Sequence, residues 1–139
     1  MKFIILVTLF AVACFDATKA DESAETRKFM ADCRKQFHIN DVQKYWELNI
    51  GTLAIADVTR DMKCYLNCFM EKVGVLKDGR LQPNGSAKFN DYADEDTAQK
   101  LLKSCRNEVV SDKCETGYNL HQCFVKDFGY YTLQYYQKL

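Results

Sequence analysis

Proline occurs once in 139 residues and glycine six times. So few breaks disfavour a fold of many short strands joined by tight turns. Net charge is missing as well, since 19 basic residues stand against 19 acidic ones. The composition therefore offers no basic face for nucleic acid or another polyanion. Histidine is scarce: His38 and His121 are the only side chains able to act as bases near neutral pH without perturbation. No G-x-S-x-G, H-E-x-x-H or P-loop pattern occurs. The longest apolar run, Phe3 to Phe15, is shorter than the roughly 20 residues that span a bilayer.

Apolar residues make up 47% of the chain and aromatic residues 13%, a balance opposite to that of disordered chains. The length suits one domain. Lys2, the run Phe3–Phe15 and the small residues Thr18 and Ala20 describe a secretory signal peptide over residues 1–20, cut after Ala20. A buried N-terminal helix is the competing account. Residues 21–139 then form a single secreted domain. Of the seven cysteines, Cys14 lies in the leader, and six remain: Cys33, Cys64, Cys68, Cys105, Cys114 and Cys123. An even number in an oxidising compartment implies three disulfides. Zinc needs paired short spacings, and only Cys64 and Cys68 are close, so no metal or cofactor is expected.

Helical periods run through the chain. Phe29, Met30, Cys33 and Phe37 form one stripe. Asn40 followed by Gln43 has the capping-box spacing ahead of Tyr45, Trp46 and Leu48. Met62, Tyr65, Leu66, Phe69, Met70 and Val73 repeat at helical intervals. Lys77 to Arg80 reads as a turn, and residues 81–94, with Pro83, as loop with one short helix. Asp96 or Thr97 opens a helix carrying Leu101, Leu102, Cys105 and Val109. Asp112 with Glu115 caps the next, through Tyr118, Leu120, Phe124, Val125 and Phe128. The expected fold class is all-α: a compact bundle of about six helices around an apolar cavity, stapled by three disulfides.

Cys64 and Cys68 share one helix face, so each must bond to another element. On a continuous helix Cys114 and Cys123 lie on opposite faces, separated by about 13.5 Å of rise. Excluding those two pairs leaves ten of the fifteen pairings of six cysteines open. The register itself, with three residues between the second and third cysteines and eight between the fifth and sixth, resembles that of the insect odorant-binding and pheromone-binding proteins. So do the stretches Lys63–Gly74 with Asp78-Gly79, Asp112–Glu115 and Leu120–Cys123. The resemblance implies the pairing Cys33–Cys68, Cys64–Cys114 and Cys105–Cys123.

It also implies a function: a secreted, extracellular carrier that binds odorants, pheromones or fatty-acid-like molecules and takes them to chemosensory receptors. A non-olfactory carrier or scavenger of lipids or amines, in saliva, gut or seminal fluid, is the alternative. The candidate pocket residues are Phe37, Trp46, Leu48, Ile50, Leu53, Ile55, Met62, Tyr65, Leu66, Phe69, Met70, Val73, Leu76, Leu101, Val109, Leu120, Phe124 and Phe128. Plain core packing is the rival account of each. Thr52, Thr59, Tyr65 and Tyr118 are candidates for a polar anchor. An enzyme is not expected. Two histidines and a lysine occur in secreted ribonucleases, but the local motifs of those enzymes are absent and His121 is flanked by Leu120 and Gln122. Both histidines are expected at the surface or at helix ends. The implied partners are a small hydrophobic ligand, an odorant receptor and a second copy of the chain, with no nucleic acid and no membrane span. Asn84-Gly85-Ser86 is an N-glycosylation sequon on an expected loop. The tail, residues 124–139, carries Phe128, Tyr131 and Tyr135 on the Leu120–Phe124 stripe. It is expected to hinge at Gly129 and pack back as a wall or lid, a tyrosine-built dimer contact being the alternative.

Overall fold

The computed structural model describes residues 24–83, 85 and 95–138, without the side chains of 128 and 130–138. The expected leader, the Asn84 sequon, most of the 81–94 segment and the side chains of Phe128 and Tyr131 lie outside the described residues. Among the described residues there are five α-helices: α1 (24–36), α2 (Val42–Asn49), α3 (Arg60–Lys72), α4 (Glu95–Cys105) and α5 (Lys113–Lys138). Ile55–Asp57 and Arg106–Glu108 form 3-10 turns.

Three of the helices, α2, α3 and α5, start where a side chain takes free N–H groups. Thr59 accepts from the Met62 amide at 3.3 Å, and Asp112 accepts from the Cys114 and Glu115 amides at 2.9 and 3.0 Å. For α2 the cap is Asp41, not Asn40. Asp41 holds extended backbone immediately before the first helical turn and accepts from the Lys44 amide at 2.9 Å. Asn40 lies one residue too early, where its carbonyl faces the Arg34 guanidinium at 3.5 Å. The turn at Lys77–Arg80 is the tip of a short hairpin. Leu76–Lys77 (β1) pairs antiparallel with Arg80–Leu81 (β2), and Asp78 and Gly79 both hold positive φ, at 52° and 73°. That is the conformation two-residue hairpin loops require.

The three disulfides are Cys33–Cys68, Cys64–Cys114 and Cys105–Cys123, with Cα–Cα distances of 5.9, 4.2 and 5.8 Å. They tie α1 to α3, α3 to α5 and α4 to α5. Chain-entropy arguments assign each about 3–4 kcal/mol, which does not add up across interlocking loops. The α3–α5 seam is the tightest in the fold. A Cβ added to Gly117 would lie 2.4 Å from the Asn67 backbone nitrogen, so only glycine permits the approach. The Lys63–Glu115 ion pair, at 2.9 Å, spans the same seam.

Burial falls into two apolar clusters. The first joins α1, α2 and α3 through Met30, Cys33, Ile39, Tyr45, Leu48, Met62, Tyr65, Leu66 and Phe69. The second joins the end of α3, the hairpin, α4 and α5 through Met70, Val75, Leu76, Leu101, Leu102, Cys105, Leu120 and Phe124. Val73 packs against both. The tail does not hinge: α5 runs through Gly129 to Lys138 as one 26-residue helix, about 39 Å long at 1.5 Å per residue. A lone glycine costs a helix only about 1 kcal/mol, too little to break one that long. No helix among the described residues is long and apolar enough to cross a membrane.

Candidate functional site

Inside the first cluster a line of polar side chains crosses apolar surroundings. Tyr65 Oη donates to Asn49 Oδ1 at 2.9 Å and lies 3.3 Å from Tyr45 Oη. Asn49 Nδ2 donates to the Tyr45 carbonyl at 2.7 Å, and the Asn49 carbonyl is 3.0 Å from His121 Nε2. The geometry follows from helical spacing. Tyr45 and Asn49 stand four apart on α2, while Tyr65 and His121 come from the buried faces of α3 and α5. Tyr45, Asn49, Tyr65 and His121 are all buried.

Burial sets the charge states along this line. His121 is pushed down to about pKa 4, chiefly because its imidazolium would lose hydration, with the Asn49 carbonyl opposing weakly. It is neutral at physiological pH, and Nε2 carries the proton that the carbonyl accepts. Burial likewise pushes the Tyr45 phenol up, against the hydrogen bond to Tyr65 and the Arg34 guanidinium, which stacks 4.5 Å above the ring centre. His121 Nδ1 is buried and meets no hydrogen-bond partner among the described residues. An acceptor left so costs about 1–3 kcal/mol.

Val73 packs against both clusters and the side chain of Phe128 lies outside the described residues; the other expected pocket residues separate into three groups. Leu48, Met62, Tyr65, Leu66 and Phe69 are buried in the first cluster, with Phe37, Ile50 and Leu53 half-buried against it. Met70, Leu76, Leu101, Leu120 and Phe124 are buried in the second, with Val109 half-buried against it. Trp46 and Ile55 face solvent, 45% and 82% exposed. Trp46 follows Tyr45 by a single helical step, and Tyr45 takes the inward direction. Ile55 sits in a 3-10 turn whose three residues are all exposed.

Of the polar candidates, only Tyr65 lies in the interior line. Thr59 is occupied as a helix cap, Thr52 is exposed 3.5 Å from the Glu47 carbonyl, and Tyr118 lies under the Lys63 ammonium at 5.0 Å. Asn49 and His121 were legible only as positions. Each falls on the inward stripe of its helix, His121 beside Leu120 and three residues before Phe124. His38 is exposed at the end of α1 with φ of 52°, as expected, whereas His121 is buried, against the expectation. The expectation failed because the partner that takes the buried ring's N–H, the Asn49 carbonyl, stands 72 residues away in the chain.

Two further features lie elsewhere. Cys105, Cys123 and Asp127 bring three ligand-type atoms within 4.8 Å, but both sulfurs are consumed by their disulfide. An open groove of about 510 Å³ runs between β2 and α4, lined by Leu81, Gln82, Pro83, Asp96, Gln99, Lys100, Leu102, Lys103 and Arg106. It contains none of the expected pocket residues, and six of its nine lining residues carry charged or amide side chains.

The pattern that defines the PBP/GOBP family matches residues 15–127. The chain is 40% identical over 107 residues to general odorant-binding protein 56a of Drosophila melanogaster, covering 76% of this chain and 75% of that one. It is 29% identical over 107 residues to general odorant-binding protein 72 of Anopheles gambiae, covering 73% and 85%. Among solved structures it resembles the fatty acid binding protein OBP56a from the oral disk of the blowfly Phormia regina. The TM-score is 0.60 at 30% identity, covering 76% of this chain and 90% of that one. Six cysteines paired across a mainly helical interior, in a chain matched over most of its length by odorant-binding proteins, make this chain a member of the PBP/GOBP family.

Proposed function

We propose that this protein is a secreted carrier that holds small hydrophobic molecules in its apolar interior and delivers them to chemosensory receptors, and that it is not an enzyme. The observation that carries the reading is the interior itself. Two apolar clusters are held by three disulfides, with the Tyr45, Tyr65, Asn49 and His121 line set among them. Disulfides let such a chain keep its helices in place without relying on a completely filled core. A ligand then gains apolar contact at little conformational cost. The family supports the reading, and so does the solved relative that is named for binding fatty acid. The leader over residues 1–20, the single domain 21–139 and the Asn84 sequon belong to the same proposal, because a carrier in extracellular fluid must be exported.

Displacement of a fluorescent apolar probe by a panel of alcohols, aldehydes, esters and fatty acids tests it. Micromolar displacement by several of them is the expected result, and a folded, oxidised protein that binds neither probe nor panel would overturn it. The tail enters the proposal as the last turns of α5, walling the interior. A chain ending at Phe128 should lose helical signal and release ligand faster, and an unchanged off-rate removes the tail from the site.

A further inference from the structure

The polar line Tyr45–Tyr65–Asn49–His121 is hydrogen-bonded along its length and open at one atom. His121 Nε2 lies 3.0 Å from a backbone carbonyl, which only accepts, so Nε2 must carry the ring proton. Nδ1 is then a lone pair, buried and without a partner among the described residues. Its position on α5 places it between the two clusters. Tyr118, three residues earlier, packs on the first, while Leu120 and Phe124 belong to the second. An apolar chain lying along that boundary would touch both clusters and bring its polar end past His121.

We propose that His121 Nδ1 is the polar anchor of the interior, and that it selects ligands whose head group donates a hydrogen bond: long-chain alcohols, or carboxylic acids in their protonated form. The inference rests on the carrier reading and adds the head-group chemistry to it. Aldehydes, ethers and esters present only acceptors, which leave Nδ1 unpaired and set two lone pairs against each other. A carboxylate has the same defect and brings a charge as well. The orphaned acceptor is matched by one O–H, and the rest of the line keeps the imidazole from turning away. Asn49 holds Nε2, and Asn49 is itself held by Tyr65.

The test compares dodecan-1-ol with dodecanal and dodecyl methyl ether as displacers of a fluorescent apolar probe from the full, oxidised protein. The ether is the more apolar molecule, so burial alone ranks it first. The proposal ranks the alcohol first by about tenfold, the worth of one hydrogen bond. His121→Gln keeps an amide N–H near the Nε2 position but has no acceptor at the Nδ1 position. It should lower alcohol affinity to the level of the ether and leave the ether unchanged. If that variant does not fold, the Nδ1 nitrogen resonance of the unaltered protein decides. It should move when dodecan-1-ol is added and stay in place with the ether. Equal affinities for alcohol and ether, or an unmoved resonance with alcohol bound, overturn the anchor while the carrier reading stands. Failure of the probe and all three ligands to bind overturns both.

Discussion

Among the described residues, the buried polar side chains Asn49, Asn67, Thr116 and His121 stand on α2, α3 and α5, and none stands on α4 or the hairpin. The region around Tyr65 is therefore held by direction as well as by burial, since a hydrogen bond fixes an angle and an apolar contact does not. The region around Leu101 and Leu102 is held by burial and by Cys105–Cys123. One region should answer to single atoms, the other to volume.

The seam joining the two regions should give the largest effect. Replacing Cys64→Ala and Cys114→Ala together removes a link closing 50 residues and is expected to cost about 4 kcal/mol. Urea unfolding followed by circular dichroism measures it, and a loss under about 1 kcal/mol would mean that Gly117 and the Lys63–Glu115 pair suffice at the crossing. Acid comes next and acts on the first region. His121 has a folded pKa depressed from 6.5 to about 4. The unfolded chain therefore binds more protons between those values. The stability from the neutral buried ring is fully present above pH 6.5 and is lost as pH falls through about 4. The loss amounts to roughly 3 kcal/mol. Unfolding curves at pH 7, 5.5 and 4 should show it, and in His121→Gln the slope across that window should shrink. An identical slope in the variant would assign the acid sensitivity to carboxylates instead.

Tyr65→Phe should follow, at about 1–2 kcal/mol, because it keeps the ring and strands Asn49 Oδ1. The matching change in the second region is Leu102→Met, a volume-conserving swap expected to cost under about 1 kcal/mol. Thermal melts of the pair test the comparison directly. If Leu102→Met costs more than Tyr65→Phe, the distinction between a directional region and a volumetric one fails.

Much of the fold was legible because it depends on local periods. The α3 stripe from Met62 to Val73, the Asp112 cap and the Asp78–Gly79 turn each arise from residues within a few positions of one another. The hairpin strands at Leu76 and Arg80 were missed because two-residue strands have no period to read. The helical continuation past Gly129 was missed because glycine biases a helix without ending it. The solvent position of Trp46 was missed because Tyr45 and Trp46 are equally apolar, and only the placement of α3 selects which of them turns inward.

The sequence by itself determined that this chain is helical, that six cysteines make three bridges, and which faces are apolar. These properties are set by composition and by spacing along one helix. The family likeness carried the pairing, which geometry along the chain had narrowed only to ten arrangements. Only the tertiary structure decided where polarity lies inside. Tyr45, Asn49, Tyr65 and His121 come from three helices, and up to 76 positions separate them. Whether a histidine is a surface base or a buried neutral acceptor depends on a carbonyl that the fold brings to 3.0 Å. That distance is a property of helix packing: just past α2, a Cβ added to Gly51 would lie 2.5 Å from the Val125 side chain on α5, and no local pattern in the chain encodes that approach.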